Sequence, residues 1–431
     1  MRSRFIIYVP ADTREATAVS FTKVAGVPLF LRSILALNLA GEKAFTVIAP
    51  LSHRRHLLKL WQKIIKNRDI HLNLVLTKEN NRLTASELKE IKGYSEPTAY
   101  FINANYVLPG IAKTLMNEAN SKIDPHEVRV LKPYAKRSAI AGFSVESLDP
   151  VIASAEKWPL TTEECIIELI ENKNRHYIHE GDEGMIVQKF SEIGMAENFL
   201  AEDIRKHTPM FIAREVNKRI SLPLSLRLAR MRVTPNTITV INIFIGLCAG
   251  IGAAGRTYKG VLLGGILFQL ASIIDGCDGE VAKLTYRTSK FGQYIDSLSD
   301  NLSLAAFLTG MMIHAYRVTG SYSAFIWGGA LIVGALLILL IMADYLKKKT
   351  NSASFVTYDK EFLQKLTPET TPRVVLYFIK YFKVFFKKDC FSMAFLIFAM
   401  LGILHWWFYF ISIAVWVAVF ILAYLRERFY K

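Results

Sequence analysis

Four aspartates, Asp275, Asp278, Asp296 and Asp300, stand within the 26-residue stretch DGCDGEVAKLTYRTSKFGQYIDSLSD. The first pair is three residues apart and the second four, so on helices each pair shares a face. Gly279 and Ala282 continue the side of the first pair, and Gly292 completes a stripe with Asp296 and Asp300. Packing two such helices together gathers four carboxylates into one pocket, where like charges repel. Divalent cations remove that repulsion, and hard carboxylate oxygens suit Mg²⁺ or Mn²⁺. Small residues beside the acids leave room for the phosphates of a ligand.

The elements that carry these acids are apolar. Composition changes near residue 235, and the later half holds apolar stretches at roughly 236–255, 259–275, 297–316, 324–345, 391–408 and 409–425. About 20 apolar residues cross a hydrocarbon core as a helix, so the expectation is six transmembrane helices. The second stretch is short, and the acidic motif begins at its end. Ionisable groups at membrane depth are costly and are therefore candidates for function. The bulk composition agrees: 431 residues, 52% hydrophobic, with a mean hydropathy of +0.25.

The formal charge of +16 is placed unevenly. Only Arg256 and Lys259 lie between the first two stretches, and Arg317 between the third and fourth. The other side has Arg205, Lys206, Arg214, Lys218, Arg219, Arg227, Arg230 and Arg232 before the first stretch. Lys347, Lys348, Lys349, Lys380, Lys383, Lys387 and Lys388 follow in the 346–390 connection, and Arg426 and Arg428 in the tail. The positive-inside rule then puts both termini in the cytoplasm. Juxtamembrane placement favours a membrane partner over nucleic acid, and some of these cations are available to lipid or phosphate headgroups.

Ahead of the first span, residues 206–235 read as an interfacial amphipathic helix and linker. Ile212, Val216 and Ile220 recur at helical spacing with Arg214 and Lys218 on another face, and Pro223 is expected to break the helix. Residues 1–205 alternate short apolar runs, Phe5–Val9, Phe45–Ile48, Leu72–Leu76 and Tyr100–Ile102, with helical patterns at Pro28–Asn38 and His53–Lys66. That alternation predicts an α/β layered domain. The first run reads as a strand rather than a signal peptide. Cys165, Cys248, Cys277 and Cys390 form no CxxC pair or disulfide framework, which fits a reducing compartment.

The acidic stretch resembles the signature of the CDP-alcohol phosphotransferase family, D-x2-D-G-x2-A-R-x8-G-x3-D-x3-D. Asp275, Asp278, Gly279, Ala282, Gly292, Asp296 and Asp300 match at the required intervals, and Lys283 stands where the family has Arg. Arg grips phosphate through a planar fork, whereas Lys presents a point charge. The resemblance covers roughly residues 206–431, including Thr234-Pro235-Asn236 at the start of the first span, and implies a transmembrane domain over 236–431. It implies that Asp275, Asp278 and Asp296 hold two Mg²⁺ or Mn²⁺ ions. Asp300 shares in the site and acts as general base toward an acceptor alcohol. Gly279, Ala282, Lys283, Gly292 and Asn236 border the nucleotide. The implied reaction moves a phospho-alcohol from a CDP-activated lipid or alcohol donor, such as CDP-diacylglycerol, to the acceptor, and CMP leaves. Dimers are frequent in the family, so a homodimer is an expectation.

The first domain resembles sugar-phosphate nucleotidyltransferases. Lys23, Gly26, Pro28 and Leu29 stand in a K-x2-G-x-P-L pattern, which implies a nucleotidyltransferase-like fold over 1–205. The glycine-rich loop expected after the first strand is replaced by YVPADTREA, and the expected metal-binding aspartate by Asn103 and Asn105 in FINANYVLPG. Without glycines the backbone wraps a triphosphate poorly, and a neutral amide is a poor Mg²⁺ ligand. This domain therefore reads as catalytically degenerate. Two alternatives stand beside the transferase: a bifunctional enzyme whose first domain also makes the CDP-alcohol, and a non-enzymatic ion-binding membrane protein. The domain fusion favours a bacterial or archaeal plasma membrane.

Overall fold

A computed structural model describes residues 2–10, 13–64, 68–77, 82–107, 115, 122–130, 140–171, 174–177, 184–349 and 388–429. The chain divides into two units. One comprises Met1–His207, Leu226–Arg232 and Lys283–Arg287; the other comprises Thr208–Ser225, Val233–Ala282 and Thr288–Lys431.

Alternation of side chains builds the sheet of the first unit. Its strands are β1 (Ser3–Tyr8), β2 (Ala44–Pro50), β3 (His71–Thr77), β4 (Ser95–Asn103), β5 (Glu127–Val130), β6 (Ile140–Ser144) and β7 (Asn174–Tyr177). They lie in the order β7-β5-β6-β4-β1-β2-β3. The β4-β1-β2-β3 part is parallel, whereas β6 runs antiparallel to β4 and β5. On β1, Phe5 and Ile7 point to one face, where they join Phe45, Val47 and Ile102 under helix Leu29–Leu39. Ile6 and Tyr8 point to the other, where Phe101 and Phe143 pack under Leu88, Ile91, Val151 and Ile152. Helices Ala85–Tyr94 and Leu148–Lys157 supply those last four residues. Both faces are covered, which is why the central strands are apolar throughout. All four strand runs read from the sequence lie in this sheet. The helix expected at Pro28–Asn38 is Leu29–Leu39, with Pro28 at its N-cap. The helix expected at His53–Lys66 is described as Arg54–Ile64, and Lys66 lies outside the described residues.

The second unit is helical: Pro235–Ala253, Tyr258–Leu284, Lys290–Thr319, Ser323–Lys349, Lys388–Met400 and Leu404–Phe429. Thr234 caps the first through the Thr237 amide, with Pro235 at the first helical position, where its missing N–H costs nothing. Small residues bring helices together closely. A Cβ on Gly250 would meet the Ala306 carbonyl oxygen at 2.5 Å, and one on Gly252 would meet the Gly264 Cα at 2.8 Å. Phe268, Phe307 and Phe395 fill the centre, with ring centroids 4.2, 4.8 and 5.4 Å apart. Outward stand Phe244, Ile251 and Phe420, at 64, 76 and 69% exposure, an apolar surface suited to lipid rather than water.

The expectation of six spans is supported in part, and several local boundaries are corrected. Three described helices are long and apolar enough to cross a membrane: Pro235–Ala253, Tyr258–Leu284 and Leu404–Tyr424. The stretch placed at 259–275 does not stop at the acids but runs to Leu284, because Gly276, Gly279 and the charged residues lie within a continuing helix. The boundary placed between 408 and 409 falls at Leu401–Ile403, where Gly402 adopts φ 72° and ends the helix. Pro223 does not break the preceding helix. It sits inside Lys218–Arg230, and a π-helical turn at Ala213–Asn217 leads into it. Lys380, Lys383 and Lys387 lie outside the described residues. The four cysteines are free thiols.

Candidate metal centre

The first half of the acidic motif lies on an uninterrupted helix. Tyr258–Leu284 carries Asp275, Asp278, Gly279, Ala282 and Lys283, and Lys290–Thr319 carries Gly292, Asp296 and Asp300. Ser289 starts the second helix, its hydroxyl accepting from the Gly292 amide at 2.9 Å. Asp296 and Asp300 then follow on one face.

Asp275, Asp296 and Asp300 each offer a carboxylate oxygen, and these oxygens lie within 4.8 Å of one another. Asp278 is buried beside them in sequence but bonded elsewhere, accepting from the Thr239 hydroxyl at 2.5 Å. Asn242 Nδ2 donates to Asp275 Oδ1 at 3.0 Å. Asn236 faces Gly292, its Oδ1 3.4 Å from where a Cβ on that glycine would stand. Gly279 has open space where a side chain would be, Lys283 is exposed and Ala282 is half-buried. The structure thus gathers three of the four acids at one point, sets Asp278 against the first helix, and pairs Asn236 with Gly292.

Sequence reading passed over four residues here. Thr239 and Asn242 follow Asn236 at three-residue intervals in NTITVIN, a polar stripe on an otherwise apolar helix. Polar residues at membrane depth are a usable signal. Glu280, inside the motif, is 1% exposed. Its carboxylate accepts from Lys218 Nζ at 2.6 Å, Ser221 Oγ at 2.6 Å and Ser225 Oγ at 2.7 Å. Those three donors lie along one face of helix Lys218–Arg230. Lys388 ends a basic run that read as a topology signal and as cations available to headgroups, not as a partner of the acids. Its ammonium lies 3.0 Å from Asp275 Oδ1 and bonds Asp300 Oδ1. Nothing local in the sequence marks that reach.

The donor set fits a hard divalent ion. Every cluster ligand is a carboxylate oxygen. Asn242 Oδ1, buried beside Asp275, has no hydrogen-bond partner among the described residues and is available to a water carried by such an ion.

In the first unit, Asn105 is pinned rather than free. Its Oδ1 accepts from Ser20 Oγ at 2.5 Å, its Nδ2 donates to the Ala16 carbonyl at 2.8 Å, and its amide bonds Asn103 Oδ1 at 2.9 Å. The K-x2-G-x-P-L segment forms a small hairpin, Lys23–Val24 on Val27–Pro28, turned by Ala25 and Gly26 at φ 46° and 79°. The Ala25 amide donates to Glu197 Oε1 at 2.8 Å, and a Cβ on Gly26 would strike the Ala229 carbonyl. Protein groups therefore hold the turn of this hairpin.

Comparison with known proteins supports the same segment. Residues 232–384 match the family model described as CDP-alcohol phosphatidyltransferase, and all seven motif positions fall within it. A bifunctional IPC transferase and DIPP synthase from Thermococcus kodakarensis is 40% identical over 118 residues, 27% of this chain and 26% of the relative. A phosphatidylinositol phosphate synthase from Mycobacteroides abscessus is 26% identical over 147 residues, 33% of this chain and 61% of the relative. The chain thus covers about a quarter of the first relative's length. Among solved structures, the inositol-1-phosphate CTP transferase from T. maritima aligns over 44% of this chain and 92% of its own, at 10% identity and a TM-score of 0.32.

Proposed function

We propose that this chain is a metal-dependent CDP-alcohol phosphotransferase of a plasma (inner) membrane, moving a phospho-alcohol group from a CDP-activated donor to an acceptor alcohol. The observation that carries the reading is the convergence of Asp275, Asp296 and Asp300 within 4.8 Å, at the family's intervals and inside the segment its model matches. CDP-diacylglycerol is the proposed donor. The names of the relatives favour an acceptor of the inositol phosphate type over serine.

In this proposal Asp275, Asp278, Asp296 and Asp300 hold two divalent ions. When bound, the ions supply charge neutralisation at the pyrophosphate and stabilise the departing CMP. Thr239 and Asn242 orient Asp278 and Asp275 through the hydrogen bonds described above. Gly279, Ala282, Lys283, Gly292 and Asn236 border the nucleotide: the open space at Gly279 admits the donor, and Lys283 offers a point charge to phosphate. Asp300, with a side chain 39% exposed, accepts the proton of the acceptor hydroxyl as that oxygen attacks the donor's β-phosphorus. The bond from that phosphorus to the CMP oxygen breaks, and CMP carries the electron pair away.

The proposed layout has an α/β domain at 1–205, an interfacial helix and linker at 206–235, and a multi-pass domain at 236–431 with both termini cytoplasmic. A homodimer is part of the proposal. Asn105, committed to Ser20 and Ala16, supports a first domain that no longer transfers nucleotides. A bifunctional enzyme is the second reading, favoured by the printed name of the Thermococcus relative.

The test is CMP release by purified full chain with Mg²⁺ or Mn²⁺, CDP-diacylglycerol and inositol phosphate or serine, beside Asp300→Asn. Metal-dependent release that the substitution abolishes is the expected result. Silence with every CDP-linked donor overturns the transferase. Pyrophosphate release from CTP and inositol phosphate selects the bifunctional reading.

A further inference from the structure

Lys388 stands on the described start of helix Lys388–Met400, and its neighbour fixes it there. Asp389 accepts from Asn217 Nδ2 at 2.6 Å and from Ser272 Oγ at 3.5 Å, while Asn217 Oδ1 accepts from Gln269 Nε2 at 3.0 Å. With the backbone held by that network, the Lys388 side chain reaches the acids. Its ammonium engages Asp275 Oδ1 and Asp300 Oδ1, two carboxylates of the three-acid cluster. It is 22% exposed, so water screens the contact only partly.

An ammonium and a divalent ion compete for the same carboxylates. Carboxylates bonded to –NH₃⁺ give up that partner before they coordinate a metal. Drawing the ammonium off the acids leaves a half-buried cation unpaired, which is costly unless another anion receives it. The pyrophosphate of a CDP-linked donor is such an anion, and the proposed reaction brings it to these acids.

We propose that Lys388 is a built-in competitor of the metal ions. It yields Asp275 and Asp300 when a phosphate-bearing donor accepts its ammonium, so that metal and donor load together. Lys388 is thus a positioning residue that couples two binding events, and the inference rests on the metal centre proposed above. Linkage makes the coupling reciprocal: donor tightens metal by the same factor that metal tightens donor. The coupling also limits hydrolysis, since few molecules carry metal without donor.

The test is Mn²⁺ affinity of the full chain in detergent, read by titration calorimetry and by the electron paramagnetic resonance of free Mn²⁺, with and without CDP. The variants are Lys388→Met, Lys388→Gln and Lys388→Arg, with Asp296→Asn as the control for the site. Without CDP, the Met and Gln variants are expected to bind Mn²⁺ at least about tenfold tighter than wild type, a modest effect for a unit charge this near. Their further gain from CDP is smaller than wild type's, and the Arg variant behaves like wild type. Two neutral variants of different polarity guard against one failing to fold, and the rise of Tm on adding Mn²⁺ gives the same ranking without activity. Neutral variants that bind Mn²⁺ no tighter, or that gain as much from CDP, overturn the role of Lys388 while leaving the metal centre intact. Wild-type Mn²⁺ binding that is absent even with CDP, or indifferent to Asp296→Asn, overturns the metal centre and this inference with it.

Discussion

Glu280 and Lys218 meet in an ion pair 2.6 Å long, the carboxylate 1% and the lysine side chain 15% exposed. Ser221 and Ser225 complete the shell of the carboxylate, so four side chains tie helix Lys218–Arg230 to the helix of the acidic motif. Breaking such a buried pair from one side costs about 3–5 kcal/mol, because the partner is left charged and unpaired. Glu280→Ala should therefore lower thermal stability strongly. The double variant Lys218→Met with Glu280→Leu, which removes both charges, should recover much of the loss. Thermal unfolding in detergent measures both, and equal losses for the single and double variants would contradict the pair's role.

At the acids, Asp296→Asn keeps shape and removes charge. CMP release should fall at least about a thousandfold, as for loss of a metal ligand that stabilises the reacting phosphate. Chelation of the wild type with EDTA should do the same and reverse on adding Mg²⁺. Steady-state kinetics with and without metal measure this, and activity retained in both would exclude the metal centre.

Asn105 should behave as a structural pin. Asn105→Ala removes one partner each from the Ser20 hydroxyl and the Ala16 carbonyl, which keep their bond to each other at 3.2 Å, so the loss should be about 0.5–1.5 kcal/mol per bond removed. Unfolding of the first unit, followed by hydrogen exchange at β1 and β4, should start earlier. CMP release at low temperature should be unchanged.

Close helix packing predicts a contrast between two glycines. Gly250→Ala places a methyl against the Ala306 carbonyl and should cost about 1–3 kcal/mol by overpacking. Gly329 has nothing within 4 Å of its missing Cβ, so Gly329→Ala should be neutral or stabilise by up to about 1 kcal/mol. Paired melts of the two variants make the comparison.

Burial pushes the Cys165 thiol well above its ordinary value, and Glu168, Glu164 and Glu163 push it the same way. The thiolate is the reactive form, so Cys165 should resist maleimide at pH 8 until the first unit unfolds. Cys248, exposed on helix Pro235–Ala253, should label from the detergent side in the folded protein. Mass spectrometry of the labelled peptides reads both, and early labelling of Cys165 would mean that helix Thr162–Glu171 opens locally.

The sequence by itself determined which acids could stand together and the class of each half, layered α/β and helical. Spacing of three and four residues dictates which acids share a helix face, whatever the surroundings, so Asp275, Asp296 and Asp300 were legible. Short apolar runs likewise marked the β1, β2, β3 and β4 strands, because a sheet buried on both faces needs apolar residues throughout. Local signals misled where tertiary packing overrode them. Pro223 stays inside a helix whose Ser221, Ser225 and Lys218 are held by Glu280, and the motif helix continues past two glycines that taken alone favour an end. Only the tertiary structure decided which distant side chains complete the site. Thr239 and Asn242 come from another helix, and Lys388 stands 88 positions from Asp300 in the chain. Such contacts depend on helix crossing and rotation, set by the close approaches of Gly250 and Gly252. Residue spacing along one helix encodes neither.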